Sequence, residues 1–126
     1  MDLVIGLLNN AINDLVSKSV NDIPINTTYV TKMTASANIS YRRFGNIIIV
    51  NLYDIARSSN ATTDSQNCAI CSGLPKCERY TIGILVGGNS SVRIGMVSGS
   101  TDLCWWYTGN SGTSASYNGE FIYAAL

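Results

Sequence analysis

From Tyr29 to Leu126 the apolar residues recur with a period of two, and no stretch in that span keeps a helical rhythm. Successive side chains of an extended chain point to opposite faces, so this alternation describes strands with one face covered. Tyr29, Thr31 and Met33 alternate with Val30 and Lys32, and Ala37, Ile39 and Tyr41 alternate with Asn38, Ser40 and Arg42. The pair Gly45-Asn46 then divides two β-rich runs, a signal for a tight hairpin. Ile47 to Ile55 is dense in β-branched residues and reads as a strand partly buried on both faces. Further strands are predicted over 68–71, 79–86, 92–97, 103–107 and 119–124, punctuated by Gly73-Leu74-Pro75, Gly87-Gly88-Asn89 and the polar runs 98–102 and 109–116. Seven or eight short strands with no helix between them predict a mainly β protein, an antiparallel β-sandwich or jelly roll.

The first residues follow another rhythm. Met1, Ile5, Leu8, Ile12 and Leu15 recur at spacings of 4, 3, 4 and 3, the narrow apolar seam of a helix. Ser19 breaks the seam, and Pro24 ends any helix by residue 23. Two heptads are too few for a free coiled coil. The helix therefore either packs on its own domain or is the stub of a longer stalk. The chain divides on this reading into an N-terminal helix or stalk over 1–22 and a β head over 23–126. The apolar run Leu3 to Leu8 is too short for a signal h-region or a membrane span, so synthesis in the cytoplasm without membrane insertion is expected.

Composition narrows the function. Eight basic and eight acidic side chains give a formal charge of zero, which leaves no basic face for nucleic acid or an anionic membrane. There is no histidine, which removes His-based metal sites and Ser-His or Cys-His nucleophile systems. No spacing singles out a pair of carboxylates for acid–base work, so a non-enzyme without cofactor is expected. Charged residues make up 13% of the chain, about half the usual share, and Ser, Thr, Asn and Gly together supply roughly 40%. A surface with so little charge repulsion suits a stably assembled β protein.

Three constellations remain. Cys68-x2-Cys71-x5-Cys77, with Cys104 far downstream, holds only one of the two Cys-x2-Cys knuckles of a strong zinc signal. Cys68 and Cys71 are expected on opposite faces of one strand. The cysteines read as free, half-buried thiols, against a zinc site or a Cys71–Cys77 disulfide as alternatives. The run Leu103-Cys104-Trp105-Trp106-Tyr107 places Trp105 with Leu103 and Tyr107 on one face and Trp106 with Cys104 on the other. One tryptophan thus fills the core, and its neighbour meets a subunit, a loop or a ligand. Aromatic rings beside amides and hydroxyls hold sugars, so Trp106, Tyr107, Asn110 and Ser111 are candidate contacts, with Arg57 and the following residues to 63 as a second loop. The same residues packed in the core or between subunits are the plainer reading. Arg42-Arg43 reads as edge-strand charge, with an anion clamp as its alternative.

The segments YRRFGNIIIVNL, CSGLPKCERYTIGILVGGNSSVRIGMVSGSTDLCWWYTGNSG and NGEFIYAAL, taken in this order, resemble the C-terminal head of a tailed-bacteriophage tail fibre or receptor-binding protein. The resemblance covers about residues 37–126, and Cys77 stands where the family pattern commonly has Pro. It implies a homotrimer in the virion, joined to the rest of the tail fibre or baseplate, in which Ile5, Leu8, Ile12 and Leu15 form the last turns of a three-stranded stalk. It further implies adhesion to a bacterial cell-surface receptor, a glycan, without catalysis. A baseplate or fibre spacer without a receptor site, and a freestanding bacterial carbohydrate-binding domain, are the alternatives.

Overall fold

The computed structural model describes residues 4–6, 18–61, 67–88, 90–107 and 115–126, with Tyr107 by its backbone alone. Nine strands are described: β1 (Lys18–Val20), β2 (Val30–Lys32), β3 (Asn38–Phe44), β4 (Ile47–Arg57), β5 (Ala69–Cys71), β6 (Thr81–Gly87), β7 (Ser90–Met96), β8 (Leu103–Tyr107) and β9 (Tyr117–Ala124). They form an antiparallel sheet in the order β1-β3-β4-β9-β6-β7-β8-β5, with β2 paired to β4. The mainly β, antiparallel class expected from the alternation is the class observed.

The Gly45-Asn46 hairpin forms as its residues dictate. Phe44 pairs with Ile47, and Gly45 takes a φ of +59°, a left-handed conformation that costs a residue without Cβ little. Period two then sorts β4 cleanly: Ile48, Val50 and Leu52 are buried, while Ile47 and Tyr53 are exposed and Ile49 and Asn51 lie between.

One long strand carries the curl. β9 pairs with β4 through most of its length and with β6 at Asn118↔Val86, so it belongs to both halves of the sheet. The half β1-β3-β4-β2 and the half β6-β7-β8-β5 therefore fold over a shared interior. Ile39, Ile48, Val50, Leu52 and Ile55 from the first half join Leu85, Val92, Ile94, Leu103 and Trp105 from the second in one buried cluster. The roll is fastened at its far edge, where Ile25 bridges Cys71 of β5 and the Asn26 amide donates to the Ile70 carbonyl at 2.9 Å. A side chain fastens it too: Trp105 Nε1 donates to the Tyr29 carbonyl at 2.8 Å, from β8 to the residue before β2.

The N-terminal segment differs from the sequence reading in one respect. Lys18–Val20 is a strand, paired to Tyr41–Arg43 of β3, within the stretch assigned to helix and stalk. Residues 4–6 are helical, with Ile5 half exposed; Leu8, Ile12 and Leu15 lie outside the described residues.

Candidate functional site

The aromatic run lies on β8, between β7 and the edge strand β5. Its register on β7 runs Gly95↔Cys104, Ile94↔Trp105 and Arg93↔Tyr107. Two residues of β8 thus span one step of β7, and Trp106 is the unpaired residue of a β-bulge. This breaks the strict alternation that set Tyr107 on the face of Trp105. Leu103 and Trp105 are fully buried in the core. Trp106 lies over Gly95, where a Cβ would stand 3.0 Å from the indole Cε3 and 2.8 Å from the Thr81 carbonyl oxygen. Only glycine lets the ring lie down there. Tyr80 meets that ring edge-on, centroids 4.9 Å apart at 81°.

Trp106 opens on its remaining side into a cleft of about 210 Å³, lined by Asn67, Val97, Ser100, Asp102, Cys104 and Trp106. Three stretches of chain meet here: β8, the turn after β7, and the residue that leads into Cys68 and β5. The turn is braced internally, because the Asp102 amide donates to Ser100 Oγ at 2.9 Å and the Ser100 amide to the Val97 carbonyl at 3.1 Å. Asp102 supplies the carboxylate of the cleft. Burial pushes the Cys104 thiol up to about 11, and Asp102 and Cys68 add to the shift. The thiol is therefore protonated at neutral pH and a poor nucleophile. The lining is one ring, one aliphatic side chain, an amide, a hydroxyl, a neutral thiol and a carboxylate. Such a set offers hydrogen-bond donors and acceptors beside an apolar face, and its carboxylate repels anions.

The predicted residues divide. Trp106 is in the cleft, although it is almost fully buried, as the plainer packing reading required. Tyr107 follows it on the same strand, its backbone paired to Arg93. Arg57 is not among the lining residues: its Nη1 donates to the Ala61 carbonyl at 2.6 Å and braces the loop after β4. Asn110 and Ser111 lie outside the described residues. Sequence reasoning missed Asn67, Ser100 and Asp102: Ser100 and Asp102 fell in the run 98–102 read as a loop, and Asn67 stands just ahead of the strand predicted from Cys68. It did place Cys104 on the side of Trp106, and both line the cleft.

The other two constellations also resolve. All four cysteines are buried and free. Cys68 and Cys71 do not divide into an inner and an outer residue, and a register shift between Ala69 and Cys71 interrupts the alternation. Burial pushes Cys71 up to about 12, with Cys104 and Asp102 contributing. Cys77 Sγ donates to the Arg79 carbonyl at 2.7 Å. Among the described residues no three Cys, Asp or Glu side chains converge as a metal ion needs. Arg42 and Arg43 are not edge charges, since β3 has β1 on one side and β4 on the other. Arg42 faces Glu120 at 3.8 Å, and Arg43 Nε donates to the Gly45 carbonyl at 2.8 Å.

Compared with known proteins, the chain matches no family model, no curated protein and no solved structure. Among the described residues no helix is long and apolar enough to cross a membrane.

Proposed function

We propose that this chain is a receptor-binding head of the tail-fibre type, a homotrimer in the phage virion that adheres to a bacterial cell-surface glycan without catalysis. The observation that carries the reading is the cleft in which Trp106 meets Asn67, Ser100 and Asp102. An aromatic ring covers the apolar C–H face of a sugar, and the polar groups around it bond the hydroxyls. A cleft of about 210 Å³ lies below the ~300–1,000 Å³ of pockets for drug-sized ligands, so it fits a single ring of a longer glycan. The Asp102 carboxylate selects for a neutral sugar over a sialic acid or a phosphorylated one.

One ring in one cleft binds weakly. Three copies at one tip offset this, because once the first engages, the others bind at millimolar effective concentration and avidity rises about 10²–10⁴-fold. The stalk residues Ile5, Leu8, Ile12 and Leu15 hold the copies parallel in this reading, and the rest of the fibre or baseplate continues from them.

The test is binding of the full-length protein to host cells and to a panel of neutral and acidic glycans, beside its Trp106→Ala and Asp102→Asn variants. Binding to neutral glycans that falls tenfold or more in Trp106→Ala, with the circular dichroism spectrum kept, supports the site. Asp102→Asn guards against a packing artefact, since it leaves the ring in place; it should weaken neutral sugars and relax the rejection of anionic ones. Binding equal to wild type in both variants removes the cleft from the mechanism.

A further inference from the structure

The carboxylates of the sheet are held in different ways. Asp54 accepts hydrogen bonds from the Thr34 and Ser116 hydroxyls, and Glu120 faces Arg42 at 3.8 Å. Asp102 is half-buried and lines the cleft, yet among the described residues no donor bonds its carboxylate and no Lys or Arg is paired with it. Its charge acts inward, where it helps to keep the thiols of Cys104 and Cys71 protonated. The lining of the cleft thus carries one negative charge and no positive one. A carboxylate drawn partly out of water without a partner is costly to keep charged, and a ligand that brings a cation offsets that cost.

The ring in the same cleft favours the same sign. The face of an indole is the negative end of its quadrupole and attracts a cation held over it. Trp106 follows Asp102 by four residues, and Gly95 beneath it and Tyr80 at its edge fix the ring in place. A cation seated between ring and carboxylate draws on both. The remaining polar groups, Asn67 and Ser100, ask for hydrogen bonds as well as charge. A quaternary ammonium has no N–H to offer and leaves such groups without a partner, at a cost. A protonated amine on a sugar ring supplies N–H groups for the carboxylate and hydroxyls for the amide and the serine.

We propose that the cleft takes an amino sugar with a free, protonated amine, seated between the Asp102 carboxylate and the Trp106 ring, in preference to its N-acetylated or unsubstituted counterpart. The inference rests on the glycan reading above and names the class of sugar. The carboxylate that ranks a neutral sugar above an anionic one ranks a cationic sugar above both.

A ligand-observed NMR titration of the full-length protein tests it, with glucosamine, N-acetylglucosamine, glucose and choline as probes. Glucosamine should bind about 3–30-fold more tightly than glucose, the combined range of an exposed cation–π contact and an exposed ion pair. N-acetylglucosamine carries no charge on its nitrogen and should fall with glucose. Raising the ionic strength to about 1 M, where the Debye length is ~3 Å, should erase most of the preference and leave glucose unchanged. Asp102→Asn should bring glucosamine to the level of glucose. Its carboxylate makes no described contact, so the variant keeps the turn, and the salt arm gives the same answer without any substitution. Glucosamine bound no better than glucose, a preference that survives salt and Asp102→Asn, or choline bound as tightly as glucosamine overturns the inference and leaves the glycan reading standing. Binding of none of the three sugars overturns both.

Discussion

Trp105 and Trp106 are consecutive in sequence and close to one another in burial, yet they belong to different parts of the molecule. Trp105 is enclosed by the curled sheet, edge-on to Tyr117 with centroids 6.3 Å apart, and its indole N–H closes the roll on Tyr29. Trp106 lies outside that roll, held by Gly95 beneath and Tyr80 at its rim, with the cleft on its open side. The bulge in β8, at which Trp106 is the unpaired residue, divides them. Burial does not distinguish a structural tryptophan from a binding one here; what each ring touches does.

The largest effect is expected from emptying the interior. Trp105→Ala removes a fully buried ring and one of the donors to the Tyr29 carbonyl, which keeps the Ser58 amide at 3.1 Å, and losses of about 3–5 kcal/mol accompany such truncations. Trp106→Ala opens a space that already borders a cleft, so its cost should be smaller, about 1–3 kcal/mol. Urea denaturation of both variants measures the gap. Equal costs would show that Trp106 is a second core residue, and the division between roll and cleft would fall.

Gly95→Ala probes the same boundary from beneath. Its new Cβ meets the Thr81 carbonyl and the Trp106 ring, and overpacking of this kind costs about 1–3 kcal/mol. The indole must lift, so binding at the cleft and the environment of Trp106 should both change, while the contacts of Trp105 persist. Tryptophan emission read in the single variant and in combination with Trp106→Ala decides this. The two substitutions touch one contact, so their costs should not add.

Most of the sheet was legible in the residues, because period two is a local signal. β3, β4 and their Gly45-Asn46 turn, together with β6 to β9, lie where the alternation placed them. The failures share a physical cause. Lys18–Val20 is short, polar and exposed to intermediate in burial, so it carries no apolar rhythm; β3 recruits it as an edge strand. The bulge at Trp106 and the register shift between Leu52 and Ile55 are decided by what lies across the ladder. At the second, Asp54 takes a φ of +57° and its amide donates to Asn118 Oδ1, 64 residues away. The cleft failed for the same reason. Trp106 and Cys104 announce a shared face through their spacing, but Asn67, Ser100 and Asp102 reach it only because β8 lies between β7 and β5.

The finest probe of the boundary is a pair of thiols. Cys71 belongs to the interior and Cys104 to the cleft, and burial raises both, to about 12 and about 11. A thiol whose folded value exceeds its unfolded one keeps its proton in the folded chain while the unfolded chain releases it. Stability from these groups is thus complete below the ordinary thiol value of 9.0, and it is lost as pH rises through the window up to about 11 to 12. Denaturation midpoints should be level up to pH 9 and fall above it, and Cys→Ser at both positions should flatten that decline. Alkylation by iodoacetamide gives the sharper answer. Cys104 should react first, at a rate that climbs with pH as its thiolate forms, and a sugar held against Trp106 should slow it. Cys71 should stay protected until the roll itself opens, since its access is tied to unfolding rather than to the cleft. Equal labelling of the two thiols would mean that cleft and interior open together, and the line drawn between the two tryptophans would then mark no physical boundary.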